Sequence, residues 1–140
     1  MRWWMIIPVI ALIAFWVFAG DKPQTSQRCE SVTPEVFAGE LAERGGSLVD
    51  VRTPKEFAEG HLAGAVNVNF YDEDFAARME AMAKDQPVFV YCRSGGRSGK
   101  TLAILKEAGF QFVLDMSGGV MRWQKEGREL VMPDAAPDQQ

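Results

Sequence analysis

A cysteine stands where a short strand gives way to a helix, and that turn constrains the fold more than any other stretch. The apolar run Pro87-Val88-Phe89-Val90-Tyr91 leads into Cys92, and the helix-compatible run Thr101 to Ala108 leads out and stops at Gly109. Between them lie Arg93, Ser94, Gly95, Gly96, Arg97 and Ser98. Two adjacent glycines let the backbone curl until several N–H groups point inward, which makes an anion-holding nest. The N-terminus of the following helix adds positive potential. A thiol in that place is expected to be partly thiolate at neutral pH, because the charged form is the stabilised one.

The same strand-then-helix pattern repeats along the chain. Cys29-Glu30-Ser31-Val32 reads as a short strand, and Thr33 with Pro34 as a helix start. Val36, Phe37, Leu41 and Ala42 make a helical stripe that Gly45-Gly46 ends. Ser47 to Val51 is a buried-looking strand, and Thr53-Pro54-Lys55-Glu56 is a capping box that opens a short helix closed by Gly60. Ala65 to Val68 is another strand, and Phe75, Met79 and Met82 predict a helix from roughly Asp72 to Lys84. Phe112 to Asp115 is the final strand, and Gly118-Gly119 opens a last helix carrying Val120, Met121 and Trp123. Alternation of this kind predicts a single α/β domain with a mostly parallel sheet flanked by helices. Ligands of such sheets bind beyond the carboxyl ends of the strands, which again selects Cys92, with Asp50 and Arg52 on the same edge.

The chain has 140 residues, enough for one domain of about a hundred residues plus extras. Trp3 to Ala19 is apolar without a charge and follows Arg2, so residues 1–20 read as an export signal or a membrane anchor, with 21–28 as linker. Either reading sends residues 29–132 outward, to the periplasm or another extracytoplasmic space. Uncleaved, the segment would tether the protein to the inner membrane. Residues 133–140 are polar and Pro-bearing, and are expected to be disordered. The formal charge of −4 comes with no basic patch beyond the loop arginines, which argues against nucleic acid as a partner. Two cysteines are too few for a disulfide scaffold, and a single histidine, His61, gives no metal-ligand cluster. No metal or other cofactor is expected.

Cys92 is the candidate nucleophile. A dyad with His61 is open, although His61 falls in a loop far off in sequence; backbone N–H groups and nearby cations are the alternative source of thiolate stabilisation. Arg93 and Arg97 offer paired donors to an oxyanion such as a sulfonate, and Ser94 and Ser98 offer hydroxyls, unless Ser98 only caps the next helix. Gly95 to Thr101 nearly reads as a nucleotide-binding P-loop, but the position of its first glycine holds Ser94. Cysteine phosphatases also set a cysteine and an arginine around an anion, with one more residue between the two than Cys92 and Arg97 have.

Three stretches, in order and with matching spacing, are similar to the signatures of the rhodanese-like sulfurtransferases. They are Leu48 to Arg52 with Glu56-Phe57 and Gly60 to Asn67; Val90 to Ser98; and Gly118 to Trp123. The resemblance covers nearly all of Ser31 to Glu129, and its short loop matches the sulfurtransferase form rather than the longer phosphatase and arsenate-reductase form. It implies transfer of sulfane sulfur from a donor such as thiosulfate through a Cys92 persulfide to cyanide or a thiol. Arg93, Ser94, Gly95, Gly96, Arg97 and Ser98 would hold the donor. Asp50, Arg52 and Glu56 would form an ion-pair network, His61 would bond within its own turn, and Trp123 would be core or pocket wall. The alternative is a sulfur-carrier or docking module that takes persulfide sulfur from a partner protein, and a thiol protein is an expected partner in either case. Cys29 is read as a bystander or, in an oxidising compartment, as a disulfide partner for Cys92.

Overall fold

The computed structural model describes residues 26–133. The apolar segment within residues 1–20 and the tail beyond residue 133 lie outside the described residues. No helix among the described residues is long and apolar enough to cross a membrane.

Five strands alternate with five helices: β1 Arg28–Val32, α1 Pro34–Arg44, β2 Ser47–Asp50, α2 Pro54–Ala58, β3 Val66–Asn67, α3 Phe75–Glu80, β4 Val88–Tyr91, α4 Gly96–Glu107, β5 Phe112–Met116 and α5 Gly119–Lys125. The strands form one sheet in the order β1-β5-β4-β2-β3, and every pairing is parallel. The α/β reading of the sequence is therefore the observed fold, with the sheet wholly parallel among the described residues. β4 is central and all four of its residues are buried.

Alternation along β4 sorts the core into two layers. Val88 and Val90 face one side with Val49, Leu105 and Val113, under α3 and α4. Phe89 and Tyr91 face the other with Phe37, Leu114 and Val120, under α1 and α5. Cys92 continues the Val88–Val90 series into the first layer, so the strand's own period aims the thiol at the side that α4 covers.

Local signals place the helix starts. Thr33 Oγ1 accepts from the Val36 N–H at 3.3 Å, with Pro34 at the first helical position. Thr53 and Glu56 complete the capping box of α2. Gly46 is obligatory: its φ is +123°, and a Cβ there would lie 2.4 Å from the Pro87 carbonyl oxygen that Ser47 N–H uses. α3 is shorter than the stripe of Phe75, Met79 and Met82 predicts. Only Phe75 and Met79, one turn apart, are buried, and Asp72 is held in a separate turn by Asn69. Beyond Glu80 the chain closes tight turns, Met82 N–H to Met79 O and Gln86 N–H to Ala83 O.

Candidate active site

The carboxyl ends of β4 and β2 and the amino ends of α4 and α5 converge on Cys92. The thiol is 1% exposed. The Gly95 N–H donates to Cys92 Sγ at 3.1 Å, and the Ser98 hydroxyl donates to it at 3.4 Å. Gly95 reaches that position in the left-handed region, φ +104°, as the residue immediately before α4. Burial pushes the Cys92 thiol up. The Ser98 hydroxyl and the N–H groups of Ser98, Gly95 and Ser94 outweigh burial, and the thiol lies below its ordinary value. Ser98 does not cap α4; it sits in the first turn, fully buried, against the sulfur. Arg93, Ser94 and Gly96 are exposed at the loop's rim.

No histidine serves this sulfur. His61 Nδ1 is 3.2 Å from the Phe57 carbonyl oxygen, and its ring stacks on Phe57 at 3.8 Å. Its backbone bridges Val131. The dyad left open by the sequence is thus replaced by backbone and hydroxyl donors, and His61 bonds within its turn as expected.

The two loop arginines stand differently. Arg97 is gripped by Glu56, Nη1 to Oε2 at 2.8 Å and Nη2 to Oε1 at 2.9 Å, and its guanidinium lies over the Tyr71 ring. Arg93 makes no ion pair among the described residues. Asp50 and Arg52 form a separate buried pair at 2.6 Å, and Arg52 also donates to Gly60 O at 2.7 Å. The network expected of Asp50, Arg52 and Glu56 is therefore two pairs, because Glu56 reaches across to α4. The pair Glu56–Arg97 fastens α2 to the active loop.

The Arg97 guanidinium beside Glu56 lowers that carboxyl to about 2, against an ordinary 4.5. A depressed carboxyl stabilises the fold above its unfolded value and loses that contribution as pH falls from about 4.5 through about 2. Wild type should therefore lose on the order of 2 kcal/mol across that window. Glu56→Gln should lack this acid-sensitive component, and urea unfolding between neutral and acid pH measures it.

Gly118 and Gly119 do more than open α5. The Val120 N–H donates to Cys92 O at 3.0 Å and the Met121 N–H to Arg93 O at 3.1 Å. The first turn of α5 thus clamps the two carbonyls of the active loop. A Cβ on Gly119, at φ +56°, would lie 2.4 Å from both carbonyl oxygens. Sequence reading missed this clamp, although the double glycine was its visible trace. It also missed Asp115, a buried carboxyl on β5 beneath α4.

Two clefts flank the loop. One, about 600 Å³, is lined by Ser94, Gly118, Met121, Arg122, Lys125 and Glu126. The other, about 300 Å³, includes Arg52, Glu56, Arg93, Met121 and Gln124. Met121, half exposed, is shared by both. Trp123 lies elsewhere, against Leu41, Leu48 and Leu62 on the α1 side, as core rather than as a reacting group.

Cys29 cannot pair with Cys92 in one molecule. It is in register with Val113, which is in register with Val88, and Cys92 lies four residues further along β4. The two are about 13 Å apart along the strands and two strand spacings across, far outside the ~7 Å Cα limit of a disulfide. Both thiols are free. Burial pushes the Cys29 thiol up, which disfavours its thiolate.

A strand-ended cysteine in a short nest, clamped by a double-glycine helix start on a five-stranded parallel sheet, defines an α/β domain organised around one thiol in an anion-holding loop. The family model for the rhodanese-like domain matches residues 33–126, and the chain belongs to that family. A sulfurtransferase of Allochromatium vinosum is 38% identical over 87 residues, spanning 62% of this chain and 79% of that protein. The chloroplastic thiosulfate sulfurtransferase 16 of Arabidopsis thaliana is 36% identical over 110 residues, spanning 71% of this chain and 92% of that protein. In structure, the chain is similar to a rhodanese-like domain protein from Staphylococcus aureus, with TM-score 0.63, 25% identity and coverage of 75% of this chain and 99% of that one.

Proposed function

We propose that the protein moves sulfane sulfur from thiosulfate, or a similar small donor, through a persulfide on Cys92 to cyanide or a thiol. One observation carries this reading. Cys92 Sγ is held below its ordinary pKa by Ser98, Gly95 and Ser94 inside a loop that places four residues between Cys92 and Arg97. The Cys92 thiolate attacks the outer sulfur of the donor. A new S–S bond forms, the donor's S–S bond breaks, and sulfite leaves with the electron pair. The persulfide's terminal sulfur then sits where loop N–H groups stabilise its charge. The acceptor attacks that sulfur and the Cys92 thiolate is released.

Arg93 is the cation assigned to the donor's sulfonate. It is exposed beside the loop and faces the smaller cleft, whereas two Arg97 nitrogens already serve Glu56. Arg93→Ala should raise KM for thiosulfate about tenfold with little change in kcat, since it removes binding common to ground and transition states. Arg97→Ala should lower both thermal stability and kcat, because it frees Glu56 and loosens the loop. Steady-state thiocyanate formation with both variants separates the two roles. Unchanged KM in Arg93→Ala would remove Arg93 from the donor site.

Export or membrane anchoring belongs to the same proposal and rests on the sequence of residues 1–20 alone. Fractionation of cells expressing the full chain tests it; recovery of the uncleaved protein in the cytosol would refute it.

A further inference from the structure

Of the two clefts beside the active loop, the transfer described above uses only the smaller, where Arg93 meets the donor's sulfonate. Thiosulfate and cyanide are too small to need the larger one, about 600 Å³. Its size nevertheless falls within the ~300–1,000 Å³ of small-molecule sites.

One face of α5 builds it. Gly118, Met121, Arg122 and Lys125 all line the cleft, at the spacing that places residues on one side of a helix. Ser94 of the active loop lines the same cleft, and a Cβ on Gly95 would lie 3.3 Å from Gly118 N. This end of the cleft therefore opens beside the loop that holds Cys92. Lys125, the last residue of α5, lies roughly 10 Å along the helix axis from Gly118.

The charges of the lining leave one cation over. Arg122 Nε donates to Glu126 Oε1 at 2.9 Å, and its Nη1 donates to Ser117 Oγ at 3.1 Å. Arg122 and Glu126 thus offset each other. Lys125 is exposed and makes no ion pair among the described residues. Between Ser94 and Lys125, the half-exposed Met121 offers apolar surface. The cleft is open to sulfur chemistry at one end, apolar in the middle and cationic at the other end.

We propose that this cleft holds the sulfur acceptor, a small aliphatic thiol of peptide length that carries a carboxylate, and that Lys125 is the residue that selects it. The thiol lies at Ser94, the stem over Met121 and the carboxylate at Lys125. A thiol at the loop and a carboxylate at Lys125 belong to one small molecule only if a stem of that length joins them. Donor and acceptor then draw on different cations, Arg93 for the sulfonate and Lys125 for the carboxylate, with Met121 shared by both clefts. The inference rests on the sulfur transfer proposed above and names its acceptor. The acceptor reacts as its thiolate, its proton left to water. Its sulfur attacks the terminal sulfur of the Cys92 persulfide and a new S–S bond forms. The bond from Cys92 Sγ to that sulfur breaks, and its electron pair returns to Cys92 as the thiolate. The product is the persulfide of the acceptor.

Two measurements on the full chain test this. The first uses S-methylglutathione, which has the stem and the carboxylates but cannot accept sulfur, with no sulfur donor present. In an NMR titration it should shift the amides of Ser94, Met121 and Lys125. Lys125→Glu should weaken that binding about tenfold, since it exchanges an attraction for a repulsion. Lys84→Glu, at the opposite edge of the sheet before β4, is the charge control and should bind as wild type does. The second measurement is steady-state transfer from thiosulfate to thiols. Lys125→Glu should raise KM for glutathione about tenfold, and KM for the neutral 2-mercaptoethanol by less than about twofold. The proposal is overturned if S-methylglutathione shifts none of the three amides, or if Lys125→Glu binds it and uses glutathione as wild type does. Binding that Lys125→Glu weakens, in a protein that never turns over thiosulfate, would support the cleft as the ligand's site and count against the transfer itself.

Discussion

Cys92→Ser should abolish thiocyanate formation from thiosulfate and cyanide, with a loss of at least ~10³-fold in kcat/KM. The size of the effect follows from the site. The nest made by Gly95, Ser98 and Ser94 lowers a thiol that burial alone would raise. The same donors cannot bring a serine hydroxyl near ionisation at neutral pH, and an alkoxide would in any case not carry sulfane sulfur as a persulfide. The fold should be indifferent to the change. Cys92 packs as a small apolar group against Val90 and Val113, and serine has nearly its shape. Circular dichroism of Cys92→Ser should match wild type while its activity is at background. Retained turnover would place the reacting group elsewhere.

Gly119→Ala should damage both the fold and the active loop. Alanine at φ +56° costs about 1 kcal/mol in backbone strain alone. The larger cost is contact. Its Cβ would sit 2.4 Å from the carbonyl oxygens of Cys92 and Arg93, so α5 must withdraw. Withdrawal lengthens the bonds from Val120 N–H and Met121 N–H that hold those carbonyls. A total near 3 kcal/mol is expected, a fall in Tm on the order of 10 °C, together with loss of activity. Gly127 supplies the control. Its φ is +80°, but nothing lies within 4 Å of its Cβ position, so Gly127→Ala should cost only the strain, about 1 kcal/mol, and spare activity. Thermal melts of the two variants compare strain alone with strain plus the collision. Equal melting points would mean that α5 does not clamp the loop.

The fold was largely legible because its signals are local. Thr33-Pro34 and Thr53 to Glu56 marked helix starts, and the apolar runs at Ser47 and Val88 marked the buried strands. The end of α3 was not legible, because its length is set by which of Phe75, Met79 and Met82 the sheet buries. At the site, Cys92 and its glycines announced themselves through the chemistry of a nest. What the sequence could not convey were partners brought from afar. Glu56 reads as a capping residue of α2 and is that, yet the same carboxylate grips Arg97 forty-one positions away. Asp115 reads as a strand terminus, and its burial depends on α4 lying over β5. Cys29 shows the converse. Sequence alone allows a disulfide with Cys92, and only strand register rules it out.

The central claim is that Cys92 carries the sulfur. Intact-protein and peptide mass spectrometry after thiosulfate treatment, with and without subsequent cyanide, tests it directly. The account predicts a gain of one sulfur atom on the peptide containing Cys92, its removal by cyanide, and no gain in Cys92→Ser. A sulfur found on Cys29, or a wild-type protein that turns over thiosulfate with Cys92 never modified, would contradict it.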